Sequence, residues 1–116
     1  MKKVVEKPWG CEVIWAKNNR YVGKLLYINS GHKLSLQYHE KKVESFIVTQ
    51  GRIKFHWFED GETVPKIEVM VPGDYRDVPS GTVHRMEAID NACIVELSTP
   101  ELEDVIRLED DYGRIK

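Results

Sequence analysis

The sequence predicts an all-β domain, a sandwich or a barrel. About eight to ten short runs are rich in Val, Ile, Phe, Tyr and Thr. Clusters of Gly, Pro, Asn and Asp separate them at short intervals, and almost none carries the 3.6-residue period of a helix. At 116 residues the chain is long enough for one core and too short for two domains of usual size. We therefore expect a single domain over 1–116, with an N-terminal strand in 1–19, a barrel in 20–99 and a tail in 100–116.

Lys7-Pro8-Trp9-Gly10 is a turn whose indole requires burial, as a plug at one end of the barrel or as a stacking surface for a ligand. EVIWA follows as a strand. After the Asn18-Asn19 turn, RYVGKLLYIN (20–29) is a second strand, with Lys24 among apolar neighbours. Such a lysine either snorkels to the surface or reaches inward to an anion. His32 and Lys33 belong to a surface turn. In LSLQYH alternation puts Ser35, Gln37 and His39 on one face and Leu34, Leu36 and Tyr38 on the other.

SFIVTQ and GRIKFHWF are the next strands, the latter with Ile53, Phe55 and Trp57 inside and His56 among solvated charges. Asp60-Gly61 is a hairpin tip before KIEVMV, and Pro72-Gly73-Asp74 turns the chain again. In RMEAI, Met86 and Ala88 share the face of His84, whereas Arg85 and Glu87 point away and suit cross-strand ion pairs. Glu96 interrupts the apolar strand ACIVELS, and a buried charge there requires a partner, with Lys24 as a candidate. In the charged tail, Val105, Ile106 and Leu108 are the anchors, and the Tyr112–Arg114 cluster suits docking on the barrel or on a partner subunit.

Donor chemistry concentrates between Gly31 and Gly51. Gln37 and His39 project from one strand face, and Glu44 opens the returning strand, so a hairpin brings an amide oxygen, an imidazole and a carboxylate together. These donors suit a divalent metal. A fourth, His84, follows the Pro79-Ser80-Gly81 turn.

The two segments resemble the paired motifs of the cupin superfamily, G-x5-H-x-H-x3/4-E-x6-G and G-x5-P-x-G-x2-H-x3-N. Gln37 replaces the first histidine, and Ala88 stands where the second motif ends in asparagine. The resemblance narrows the fold to a double-stranded β-helix, a small jelly roll. KPWG, LSLQYH, the glutamate five residues after His39, the P-x-G-x-x-HR turn and RLEDDYGR together resemble the C-terminal domain of type II mannose-6-phosphate isomerases, many of which are fused to a mannose-1-phosphate guanylyltransferase. That likeness implies Gln37, His39, Glu44 and His84 as ligands of a divalent ion (Zn, Mn, Ni or Fe) and a sugar phosphate as substrate. STPELEDVI is shorter than the family's corresponding loop, and no nucleotidyl transfer is expected without the fused domain.

The implied reaction is aldose–ketose interconversion through an enediol. Glu96 is the candidate base and Lys24 its catalytic companion, while Lys24, Arg85 or Arg107 would hold the phosphate. Two other expectations stand beside it: a non-catalytic cupin that binds a sugar or sugar nucleotide, and an iron-dependent dioxygenase. A net charge of −2 supplies no attraction to nucleic acid or to anionic membrane, so neither is expected as a partner. No apolar run approaches the ~20 residues of a membrane span and MKKVVEKPWG has no signal-peptide core, which leads us to expect a cytoplasmic protein. Cys11 and Cys93 read as free thiols. Tyr38, Ile47 and EVIWA offer an apolar surface for a homodimer.

Overall fold

The computed structural model describes residues 3–114. Eleven strands run in the order β1 (Lys3–Lys7), β2 (Gly10–Lys17), β3 (Val22–Ile28), β4 (Leu36–Tyr38), β5 (Glu44–Gln50), β6 (Ile53–Trp57), β7 (Lys66–Met70), β8 (Tyr75–Val78), β9 (His84–Ala88), β10 (Ala92–Ser98) and β11 (Ile106–Glu109). Among the described residues no helix is long and apolar enough to cross a membrane. All strand pairings are antiparallel. One sheet has the order β1-β2-β3-β10-β5-β8 and the other β11-β4-β9-β6-β7.

Alternation along the strands fills the space between the sheets. Leu26 and Ile28 of β3, Phe46 and Val48 of β5, and Ile94 of β10 meet Ile53 and Phe55 of β6 and Met86 and Ala88 of β9 in one buried cluster. Trp9, expected as a plug or a ligand platform, is 2% exposed and belongs to this cluster, and its edge also reaches the wall of the cavity described below. The core occupies one half of the interior. Towards the other half the same inward positions carry Lys24, Glu44, His84 and Glu96, so the barrel changes from apolar to polar along its own strands.

The expected strand in 1–19 is a hairpin, β1 with β2, added to the edge of the larger sheet. Residues 1–2 and 115–116, the outermost parts of the expected segments, lie outside the described residues. The tail docks on its own barrel: β11 pairs with β4, and Tyr112 packs against the core cluster and stacks on His32 at 6.1 Å. Asp110 holds this end in place by accepting from the Arg114 backbone at 2.7 Å and from its guanidinium at 2.8 and 2.9 Å. Leu34 departs from the expected alternation and packs on the core, because residues 32–35 precede the three-residue strand β4. Gly51 has φ +72°, and a Cβ there would lie 2.3 Å from the Asn91 carbonyl oxygen, so the turn between β5 and β6 accepts only glycine without strain.

Candidate metal centre

Three donors expected from sequence meet at the inner ends of three strands. His39 follows β4, Glu44 opens β5 and His84 opens β9. Their ligand atoms lie within 4.8 Å of one another and all three side chains are buried. Glu44 Oε1 is 3.1 Å from His39 Nε2 and 3.2 Å from His84 Nε2.

The opposite ring nitrogens fix what these contacts mean. His84 Nδ1 meets the Thr82 carbonyl at 2.8 Å and His39 Nδ1 meets the Asp104 carbonyl. A carbonyl only accepts, so each Nδ1 carries a donated proton, and each Nε2 faces the Glu44 carboxylate, to which it either donates a proton or, with a cation between them, turns its lone pair. Two lone pairs and a carboxylate oxygen converge stably only around positive charge. The set therefore fits a divalent ion, with ring orientation held from behind by backbone carbonyls.

Gln37 stands beside this cluster, opposite His84 on β9 and Arg107 on β11. Its Oε1 accepts from the Ser35 hydroxyl at 2.7 Å, the in-strand neighbour on the same face. That contact leaves one lone pair on the amide oxygen.

A second layer of charge surrounds Glu44. Burial alone would raise its pKa, but hydrogen bonds from His39, His84 and Glu96 and the nearby Lys42 charge hold it well below the usual carboxylate range. Glu96 moves the other way, pushed well above that range by burial and then by the Glu44 charge and hydrogen bond. The two behave as a dyad that shares one proton. Lys42 Nζ lies 3.7 Å from Glu44 and 3.8 Å from Glu96. Desolvation works against the Lys42 charge, and the coulombic pull of Glu96 and then Glu44 outweighs it and raises its pKa.

Lys24, opposite Glu96 in register, was the expected partner of that carboxyl. Its Nζ instead forms an ion pair with Glu12 at 3.4 Å. Glu12, Lys24, Gln37, Glu96, Arg107 and Arg114 are among the residues that line a cavity of about 350 Å³, into which the metal-ligand cluster also opens. Arg107 contributes a buried Nε with no hydrogen-bond partner among the described residues.

Arg85 is not brought to this cavity. It follows His84 by one position and so projects from the opposite face of β9, where its Nε donates to the Leu34 carbonyl at 3.0 Å and its guanidinium faces Glu109 and Asp111 of the tail. His56, on that outer face, is half-buried and meets Glu87 at 3.2 Å. The cysteines are free thiols, as expected.

Three participants carried no clear sequence signal. Lys42 lies in what reads as a charged turn, and Glu12 sits in a strand with apolar neighbours on both sides. Asp104 lies in the tail, yet its carboxylate accepts from the backbone N–H groups of Glu40, Lys41 and Lys42 at 3.1, 2.7 and 2.9 Å, while its own carbonyl orients His39. Those three backbone bonds lower its pKa to about 2.

Family models place this arrangement. The model described as mannose-6-phosphate isomerase C-terminal matches residues 1–114. The chain belongs to the mannose-6-phosphate isomerase C-terminal family. It is a cupin with a double-stranded β-helix fold, and its solved neighbours agree. Capsular polysaccharide assembling protein CapF of Staphylococcus aureus superposes with a TM-score of 0.78 at 17% identity, over 95% of this chain and 35% of that one. A Klebsiella pneumoniae protein with a double-stranded β-helix domain gives a TM-score of 0.70 at 14% identity, over 93% and 86%. Mannose-1-phosphate guanylyltransferase ManC of Salmonella typhimurium is 28% identical over 120 residues, which are 99% of this chain and 24% of that protein. This family member thus spans about a quarter of the length of such relatives.

Proposed function

We propose that this cupin is a metal-dependent sugar-phosphate isomerase of the mannose-6-phosphate isomerase type, interconverting an aldose and a ketose phosphate through an enediol. The observation that carries the reading is the position of Glu96, a buried carboxyl of raised proton affinity in the cavity wall beside the His39, Glu44 and His84 cluster. Isomerisation needs a group that removes a proton next to a carbonyl and returns it one carbon away. High proton affinity makes the Glu96 carboxylate, once ionised, a strong base that would take the substrate proton and return the same proton to the neighbouring carbon.

His39, Glu44 and His84, with Gln37 at their side, would hold the ion. When bound, it supplies polarisation of the substrate carbonyl and of the charge that develops on its oxygen. Lys24 is steadied by Glu12 in the same cavity, and with Arg107 it would take the phosphate, the unpartnered Nε of Arg107 providing a donor. Arg85, engaged under the tail, has no part in this assignment.

The test is proton NMR of hexose and pentose phosphates incubated in D2O with protein of defined metal content. Deuterium at the carbon beside the carbonyl, abolished by Glu96→Gln and by His39→Ala, is the expected result. Saturable sugar-phosphate binding without exchange would replace the isomerase with a binding cupin. Oxygen consumption by the iron-loaded protein would replace it with an oxygenase.

A further inference from the structure

The tail crosses from β10 to β11 on a narrow footing. Thr99 stays with the barrel, donating to the Val43 carbonyl at 3.0 Å and accepting from the Val43 N–H at 3.1 Å. Beyond it, the N–H groups of Leu102, Asp104 and Val105 bond only within the segment, to Pro100, Glu101 and Glu103. Among the described residues, the hydrogen bonds from 100–104 to the barrel all run through Asp104.

Those bonds reach the turn that carries the metal centre. The Asp104 carboxylate gathers the consecutive N–H groups of Glu40, Lys41 and Lys42, the kind of concavity that successive amides offer an anion. This fixes the turn between the ligands His39 and Glu44, and with it Lys42, whose ammonium stands 3.7 Å from Glu44. The Asp104 carbonyl takes a fourth bond, from His39 Nδ1. On either side of Asp104 the segment presents Leu102, Glu103 and Val105 to the cavity. One residue therefore joins a cavity wall to the back of a metal ligand.

The proton on His39 makes that joint conditional. A neutral ring has one N–H for two acceptors, the Asp104 carbonyl behind it and the Glu44 carboxylate in front. The carboxylate is the stronger acceptor. With nothing between ring and carboxylate, donation through Nε2 is favoured, and Nδ1 then turns a lone pair on the Asp104 carbonyl. With a cation on Nε2 that choice is gone. The one N–H left is at Nδ1, and it donates to Asp104 more strongly because coordination draws electron density from the ring.

We infer that Asp104 is a positioning residue of the metal centre, and that the ion and the cavity wall of 100–105 hold one another in place. Loading the centre closes the wall on the cavity. Releasing the wall weakens the centre by the same factor, since such coupling is reciprocal. The inference rests on the metal reading proposed above and adds a regulation of the same site, in which the wall is complete for a sugar only after the ion has bound.

Hydrogen exchange and zinc affinity of the full chain at pH 8 test it. Adding Zn²⁺ to chelator-treated wild type should slow exchange of the amides at 40–42 and 102–105 by about five- to tenfold, the gain when a neutral hydrogen bond becomes charge-assisted. The β6–β7 hairpin should not change. Asp104→Ala, folded by circular dichroism, should bind Zn²⁺ about 10- to 100-fold more weakly and lose the slowing at 40–42. Asp104→Asn keeps an oxygen for those amides and should recover much of the affinity. Asp111→Ala loosens the tail elsewhere, at its ion pairs with Lys33 and Arg85, and should bind Zn²⁺ as wild type does.

A wild type that binds no Zn²⁺ overturns the metal reading and this inference with it. Bound Zn²⁺ without slower exchange at 40–42 and 102–105 overturns the inference alone. So does an Asp104→Ala protein with wild-type affinity, or an equal loss in Asp111→Ala. Should Asp104→Ala fail to fold, the wild-type exchange decides.

Discussion

Replacing Lys42 with methionine tests the shared-proton description of the buried dyad. Its ammonium lies almost equidistant from Glu44 and Glu96, which together hold one negative charge if they share one proton. One charged pair at 3.7 Å contributes about 4 kcal/mol of attraction at an effective dielectric near 20. Methionine keeps the volume of the stem, so the loss is chiefly electrostatic, and removing one partner of a buried pair costs about 3–5 kcal/mol. We expect about 3 kcal/mol, or a fall in Tm of about 12 °C for a domain of this size. Glu96→Gln should cost less than about 1 kcal/mol, because a neutral amide that donates to Glu44 mimics the protonated acid. The double variant should match Lys42→Met alone. Calorimetry of the four proteins in the presence of a chelator at pH 7 reads the cycle. If Glu96 were ionised, Lys42→Met would strand two carboxylates and Glu96→Gln would restore much of the loss. Rescue of more than about 2 kcal/mol, or a Lys42→Met protein within 3 °C of wild type, refutes the shared proton.

Gly51→Ala should destabilise by about 2–3 kcal/mol, since it combines φ +72° with the contact to Asn91, whereas Gly61→Ala, at φ +77° in open space, should cost about 1 kcal/mol; equal losses in urea melts would mean that the contact is relieved by a small shift. Asp104, with its pKa lowered to about 2 from 3.8, contributes stability that is fully present above pH 3.8 and is lost as pH falls through 2. Thermal melts from pH 5 to pH 2 should therefore show a shallower acid decline for Asp104→Asn than for wild type, and parallel curves would contradict the backbone clamp.

How far the sequence could be read depended on whether a residue obeyed a local period. Gln37, His39 and Glu44 announce themselves because a two-residue alternation and a short return place their donors together, and the same logic located Ile53 and Phe55 in the core. The hairpin strand β1 escaped because KVVEK breaks alternation by residue type. Its inward positions, Lys3 and Lys7, face a polar cavity and not an apolar core. Lys42 and Asp104 are joined across the gap between the first motif and the tail, a pairing that no local pattern encodes. Arg85 shows the converse limit. Alternation turns it away from His84 and towards ion pairs, as observed, so the phosphate-holding role also expected of it conflicts with the rule that a single step along a strand exchanges inside for outside.

Between β3 and β5 lies β10, and the register that joins them pairs Val22 with Ser98 and Ile28 with Ala92. The larger sheet therefore has no centre until nearly the whole barrel sequence is available. Hairpins such as β6 with β7 can form early, but they bury little until β10 arrives. During synthesis β3, already paired with β2 on one edge, waits with its other edge open, and β5 waits for both β8 and β10, the condition in which strands find wrong partners. Assembly on the millisecond-to-second scale is the expectation for such long-range closure.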